Sequence, residues 1–223
     1  MGKLIVLEGT DGCGKSTQME LLAARLQAEN RDFRRLRFPQ YEEESSALIR
    51  MYLGGAFGEK PSDVNPYAAS LFYAVDRFAS YQQKWKDYYE AGGLLISDRY
   101  TTSNAVHQGG KVPDGEQEGF FRWLYDLEFD KVRLPKPDLV ICLEMPIELS
   151  RQLMRHREAE TNTSADIHEK DLAYLAACRE TEAQAAAYYG WTVVHCADGG
   201  AVRTIEDIHN EIYARVRACL EET

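Results

Sequence analysis

A three-layer α/β fold around an all-parallel sheet is what the sequence predicts, and three observations carry that prediction. Short β-branched or apolar runs alternate with longer helical stretches along the 223 residues. The runs are too apolar to have a wet face, so both faces of the sheet need covering. Finally, the first run, Leu4-Ile5-Val6-Leu7, leads directly into Gly9-Thr10-Asp11-Gly12-Cys13-Gly14-Lys15-Ser16-Thr17, a glycine-rich loop of the pattern G-x-x-x-x-G-K-[ST].

Taken in order, the expected strands are Lys3–Leu7, Arg34–Phe38, Leu94–Ser97, Leu139–Leu143 and Thr192–His195. Helical stretches are expected near 15–29, 44–53, 66–90, 117–129, 147–158, 168–189 and 204–220. Breakers fall between them: Gly92-Gly93 before the third strand, Pro135 and Pro137 before the fourth, and Gly190 before the fifth. The least regular stretch, Gly109–Glu118, reads as a surface loop. No internal repeat or low-complexity tract interrupts the pattern, so residues 1–223 read as one domain.

Each part of the glycine-rich loop has a physical task. Glycines let the backbone curl until successive N–H groups face a phosphate. Lys15 reaches the β- and γ-oxygens of a triphosphate, and Ser16 offers a hydroxyl to Mg²⁺. A helix starting at Lys15 adds the positive end of its dipole. Residues 9–17 therefore form the candidate ATP-binding segment. With its flanking strand and helix it specifies a P-loop NTPase-type α/β/α fold with a five-stranded parallel sheet.

In such a sheet, ligands bind at the carboxyl ends of the strands. The third expected strand is followed by Asp98-Arg99-Tyr100. Asp98 there can hold Mg²⁺ or its waters opposite Ser16, and Arg99 can clamp a phosphate. Capping of the following helix is the alternative task for Asp98. The second strand ends at Phe38-Pro39-Gln40-Tyr41, an aromatic corner. On the third helix Tyr73 and Arg77 stand at i and i+4 and share a face. Such a pair can stack on a base and hydrogen-bond its edge, although Leu71, Phe72, Val75 and Phe78 also mark this helix as core. Arg151, Arg155 and Arg157 cluster in an otherwise acidic chain, on a segment near 151–170 that reads as a short lid able to close over a triphosphate. Asp166-Ile167-His168-Glu169-Lys170-Asp171 matches no metal-ligand spacing and reads as a helix start with solvated charge.

The nature of the acceptor is implied by an absence. Phosphorylating a hydroxyl needs a carboxylate base, whereas an existing phosphate is already anionic and needs positive groups instead. The second strand ends without an immediate carboxylate, and Arg99, Arg155 and Arg157 supply positive charge. A nucleoside monophosphate is favoured over a nucleoside, with Glu42 leaving the latter open.

Several segments, in order, are similar to thymidylate kinases. They are Glu8-Gly9 with Asp11, Arg37-Phe38-Pro39, Leu71-Phe72-Tyr73 with Asp76-Arg77, Asp98-Arg99-Tyr100 followed by Ser103-Asn104, and Leu134-Pro135-Lys136-Pro137-Asp138-Leu139-Val140. The resemblance spans about two thirds of the chain, from the first strand through the fourth. It implies Mg²⁺-dependent transfer of the ATP γ-phosphoryl group to dTMP, giving dTDP, usually in a homodimer. By position it implies that Tyr73 stacks on thymine, Arg77 reads its O4 edge, and Asn104, with Ser103, contacts the base. Tyr41 and Arg99 would hold the acceptor phosphate, Phe38 would line the sugar pocket, and Asp11 would lie near the sugar 3′-hydroxyl and the metal. Two positions depart from many relatives. His107 stands where Tyr or Phe crowds the sugar 2′ position, and Tyr41 stands where some have Arg. The loop itself holds no arginine, which assigns catalytic charge to Lys15, Arg99, Arg155 and Arg157, with Asp11 linking donor and acceptor.

Composition bounds the remaining possibilities. A formal net charge of −10 argues against a nucleic-acid polymer as partner. No apolar run approaches a membrane span and the N-terminus shows no signal-peptide pattern. Five cysteines without C-x-x-C spacing suit a reducing cytoplasm. A deoxynucleoside kinase, another nucleoside monophosphate kinase and a non-catalytic nucleotide switch are the competing readings. The last is disfavoured because the guanine-reading N-K-x-D sequence is absent.

Overall fold

The computed structural model describes residues 1–161 and 171–222, with side chains omitted for 155–161 and 172. Its centre is β1 (Lys3–Glu8), whose Leu4, Ile5, Val6 and Leu7 are all fully buried. β1 lies between β3 (Leu94–Asp98) and β4 (Leu139–Glu144), β2 (Phe33–Arg37) flanks β3, and β5 (Thr192–His195) flanks β4. All four pairings are parallel, in the order β2-β3-β1-β4-β5.

The two-residue period of a strand explains the layering. Ile5 and Leu7 point to one face and pack with α1 (Lys15–Ala28) and α9 (Ile205–Glu221) through Leu22, Leu26, Ile212 and Val216. Leu4 and Val6 point to the other, against Trp85, Tyr89 and Tyr100. Each such side chain contributes about 1.5–3 kcal/mol by leaving water. A third cluster joins α5 (Thr101–His107), α6 (Gln117–Tyr125) and α8 (Leu172–Tyr189) through Ala105, Phe120, Phe121, Leu124 and Ala185. The remaining helices are α2 (Ala47–Leu53), α3 (Pro66–Ser80), α4 (Lys86–Glu90) and α7 (Ile147–Thr161).

All five expected strands are present, and three run one residue further than their apolar patterns. Each of those three ends in a carboxylate: Glu8, Asp98 and Glu144. The ladder continues because Leu7 still registers with Asp98, Glu8 with Cys142, and Glu144 with His195. Acidic groups thus line the carboxyl edge of the sheet.

The helices differ from expectation in four places. The stretch read as 66–90 is α3 and α4 joined by a wide π turn, Tyr81–Trp85, and α6 likewise runs into a π turn at Asp126–Lys131. α5 is absent from the sequence pattern because Thr101-Thr102-Ser103-Asn104 are weak helix formers that compete for backbone hydrogen bonds. A small antiparallel hairpin, β6 (Ala197–Asp198) and β7 (Ala201–Val202), comes after β5 and turns around Gly199-Gly200. The helix expected from 168 is capped at Asp171, whose carboxylate accepts the Tyr174 N–H at 3.0 Å. Residues 162–170 of the proposed lid lie outside the described residues.

Candidate active site

A cleft of about 560 Å³ opens at the carboxyl ends of the strands, the position expected where strand order reverses. Asp11 through Thr17 line it, together with Phe38, Tyr41, Tyr73, Arg77, Asp98, Arg99, Ser103, Asn104 and His107. The structure thus gathers these sequence-selected residues around one space. Gly9 and Thr10 lie beneath the loop and act through their carbonyls, which accept from Lys15 Nζ at 2.5 and 3.2 Å. Arg155 and Arg157 sit on α7, and their side chains lie outside what is described.

At the donor end, α1 starts at Lys15 with Gly14 in the left-handed region, and no side chain caps it. The first amides of the helix are therefore left for an anion. Met145, Leu153, Met154, Val202 and Ile205 give this end an apolar lining that the motifs did not disclose.

Arg99 is the hub of the middle of the site. Its backbone is held at φ 65°, a left-handed conformation rare for a residue with a side chain. Its N–H donates to the Leu7 carbonyl at 3.1 Å. Nη2 donates to Asp11 Oδ1 at 2.5 Å, Nη1 donates to Ser103 Oγ at 3.3 Å, and Glu8 lies 3.7 Å away. Burial alone would depress the guanidinium pKa, but Asp11, Glu8 and Asp98 together raise it. His107 Nε2 lies 2.9 Å from Arg99 Nη1. Since a guanidinium only donates, this nitrogen accepts, which assigns the histidine proton to Nδ1.

Glu8 is fully buried and carries the hub. It accepts from the Gly9 N–H at 3.0 Å, Thr102 Oγ1 at 2.5 Å and Ser103 Oγ at 2.7 Å. The Glu8-Gly9 motif gives the residue no role by itself. Its signal is a carboxylate ending a central apolar strand, which demands buried partners. Glu182 of α8 also approaches the loop, near the Thr10 backbone and Lys15. Burial, and then Glu8, push its carboxyl up to about 7, against the pull of Lys15.

At the far end, Arg77 is 1% exposed. Nε donates to Glu128 Oε2 at 3.2 Å, Nη2 to Glu128 Oε1, and Nη1 to the Tyr100 carbonyl at 3.3 Å. Asn104 Nδ2 donates to the Ser70 carbonyl at 3.2 Å, which leaves its carbonyl oxygen and its second N–H for a ligand. Gln108, which no sequence motif marks, also lines the cleft. Its Oε1 takes Lys111 Nζ at 2.8 Å, while Nε2 has no partner among the described residues. Burial pulls the Lys111 ammonium down to about 8. Asp76, beside Arg77, accepts from the Gln40 N–H at 2.9 Å and Ser45 Oγ at 2.7 Å. It thereby fixes the corner carrying Phe38 and Tyr41.

For a metal, Asp98 Oδ1 is buried and has no partner among the described residues, while Ser16 is exposed at the start of α1. Asp98 does not cap α5, which begins without a side-chain cap. No cluster of three or more His, Cys, Asp or Glu able to hold a metal exists among the described residues. That donor set fits Mg²⁺, which takes one or two protein oxygens and leaves the rest to phosphates and water.

A family model described as thymidylate kinase matches residues 7–212. The chain belongs to the thymidylate kinase family. A thymidylate kinase of Mycobacterium tuberculosis is 31% identical over 170 residues, covering 75% of this chain and 78% of the relative. A probable thymidylate kinase of Thermococcus kodakarensis is 30% identical over 98% of both chains. The human thymidylate kinase is 35% identical over 66% of this chain and 62% of its own length. Among solved structures, the thymidylate kinase of Candida albicans superposes with a TM-score of 0.70 over 97% of this chain and 92% of that one, at 21% identity. As a thymidylate kinase family member the chain is a phosphotransferase. The structure also gives a reason why its phosphate loop carries no side chain at position 12. Gly12 has φ +81°, and a Cβ there would meet the Ser150 carbonyl at 2.6 Å and Met154 Cγ at 2.7 Å. In this chain, α7 occupies the space that a loop arginine would need.

Proposed function

We propose that the chain transfers the γ-phosphoryl group of ATP to dTMP, giving dTDP and ADP, with Mg²⁺ taking part. The observation that carries this reading is one continuous cleft shared by a phosphate loop, the Arg99 hub and a buried guanidinium on α3. The uncapped amides of α1 and Lys15 bind the triphosphate. Ser16 and Asp98 would hold Mg²⁺, which would supply positive charge to offset the charge that develops during transfer. Arg99 and Tyr41 hold the acceptor phosphate. Asp11, already on Arg99, lies where it can meet the sugar 3′-hydroxyl.

The acceptor needs no general base, and the carboxylates nearest Arg99 are suited to another task. Glu8 accepts three donors and Asp11 accepts the guanidinium. Both therefore aim the positive groups. At the base end, Arg77 offers N–H donors and Asn104 a carbonyl oxygen. Thymine presents the complement, an O4 acceptor beside an N3–H donor, whereas cytosine inverts both. Tyr73 would stack on the ring, with Ser103 alongside, while Phe38 and His107 border the sugar. Arg155 and Arg157 would complete the charge when the lid closes.

The exposed stripe Leu71, Val75 and Phe78 on α3, at 46%, 55% and 43%, supports a homodimer. Among the described residues no helix is long and apolar enough to cross a membrane. The five cysteines are buried and outside any disulfide, which supports a cytoplasmic location. A coupled ADP-release assay across the deoxy- and ribonucleoside monophosphates and thymidine tests the whole reading. dTMP is expected to be the best acceptor. Equal rates with dCMP or AMP would overturn the thymine assignment, and robust turnover of thymidine would favour a nucleoside kinase.

A further inference from the structure

We propose that Glu128 sets the base specificity of this site as a positioning residue: it touches no ligand but aims the Arg77 guanidinium at a pyrimidine keto oxygen. The inference rests on the dTMP reading above. Arg77 has five N–H donors in a rigid planar fork. Glu128 occupies the side of that fork, taking Nε–H and one N–H of Nη2, and the Tyr100 carbonyl takes one N–H of Nη1. Two donors remain, one on each terminal nitrogen. Arg77 lines the cleft, while Glu128 is fully buried and does not. At Arg77 itself a ligand meets N–H donors, the Glu128 carboxylate being out of its reach. A keto oxygen fits there, and the amino group of cytosine would oppose N–H with N–H.

Glu128 also removes a charge problem. A buried guanidinium without a counter-ion would draw an anion or water into the base pocket and would be free to rotate. With Glu128 it is neutral as a pair and fixed in plane. The placement is built into the backbone. Glu128 sits within the wide turn Asp126–Lys131, closed by Val132 N–H to the Leu127 carbonyl at 2.8 Å and Leu134 N–H to the Glu128 carbonyl at 3.0 Å. Wide turns of this kind occur frequently at functional sites. A buried ion pair adds little to stability over an apolar pair of the same size, so stability alone gives weak reason to keep it.

The test is steady-state kinetics of Glu128→Gln, Arg77→Met and the double variant with dTMP, dUMP and dCMP. Glu128→Gln keeps the volume but turns an amide N–H toward the guanidinium. It is expected to raise KM for dTMP about tenfold or more and to lower the dTMP over dCMP preference to match, as loss of a charged hydrogen bond predicts. KM for ATP should hold. The dTMP over dUMP ratio should also hold, because both bases carry O4, and a general collapse of the pocket would move it. Adding Glu128→Gln to Arg77→Met should change dTMP kinetics no further, since nothing is left to aim. Unchanged dTMP over dCMP preference in Glu128→Gln, alongside a damaged Arg77→Met, would overturn the proposal and leave the dTMP reading standing. An unaffected Arg77→Met would overturn the base-reading assignment itself, and this inference with it. Should Glu128→Gln fail to fold, Glu128→Asp keeps the charge but withdraws it. It is expected to show the same split at smaller amplitude, and intact selectivity there would overturn the proposal.

Discussion

Replacing Glu182 by Gln should stabilise the protein, by an amount that grows as pH rises above 4.5 and levels off above about 7. The carboxyl is 2% exposed, and its Oε2 has no hydrogen-bond partner among the described residues. Burial, reinforced by Glu8, pushes it from an ordinary 4.5 up to about 7, with Lys15 and the Thr10 N–H opposing. Below pH 4.5 the group is protonated in both the folded and the unfolded chain, and no penalty arises. Between 4.5 and 7 the folded chain keeps a proton that the unfolded chain has released, so stability falls as pH rises. Above 7 the whole penalty stands. The difference, 7 − 4.5 = 2.5 units, corresponds to about 3 kcal/mol at ~1.36 kcal/mol per unit. Glutamine mimics the protonated acid and cannot ionise. Thermal melts of both proteins from about pH 4 to about pH 8 should therefore nearly coincide at the acid end and separate by about 5–10 °C at the alkaline end, with the variant higher. Taking the difference at each pH cancels every other titration. A uniform offset across pH, or a less stable variant at pH 8, would refute the burial argument.

Lys15→Ala and Arg99→Ala should each slow transfer by ~2–4 kcal/mol, the cost of one lost charge-stabilising contact; normal turnover in Arg99→Ala would remove it from the site. Arg155→Ala/Arg157→Ala should depress transfer in the same assay while equilibrium titration shows dTMP binding nearly intact, and a fully active double variant would exclude a lid role. Gly12→Ala should cost about 1–3 kcal/mol of stability, from its positive φ and the approach of Ser150. An unchanged melting temperature would show that the loop and α7 are less closely packed than their geometry. Val75→Asp should convert a dimer to a monomer in analytical ultracentrifugation, and an unaltered sedimentation coefficient would move the interface elsewhere.

The fold was legible because the central strands β1, β3 and β4 are largely apolar on both faces and the loop motif dictates the turn and helix after β1. Hidden in the sequence were polar residues whose meaning depends on distant partners. Glu128 stands 51 positions from Arg77, among Asp126, Asp130 and Lys131, and nothing local sets it apart from these as a counter-ion. Glu8 was visible as part of a motif, yet its partners Thr102 and Ser103 lie on α5, a helix whose residues do not advertise one. The strand ends fall one residue beyond their apolar patterns for a related reason. Apolar patterning reports burial, whereas the ladder runs on to Glu8, Asp98 and Glu144. The apolar wall of the donor end stayed hidden because Met154 and Val202 are unremarkable apolar residues that only folding brings together.

A common device joins the two ends of the cleft. Arg99 has Glu8 and Asp11 behind it, and Arg77 has Glu128. Consecutive residues tie these sites together, since Arg99 supplies the first guanidinium and the Tyr100 carbonyl accepts from the second. A shift of this segment would misplace both arginines at once. The carboxylates reduce the net positive field of the empty site, which costs long-range attraction for an anionic substrate. In return they hold each fork in one orientation before a ligand arrives, and pre-oriented donors need no reorganisation when charge develops. In a chain of net charge −10, attraction at a distance is weak in any case. Short-range direction is what such a protein can supply, and the left-handed backbone at Arg99, tolerated at about 1–3 kcal/mol, fits a fold that gives up stability to fix that direction.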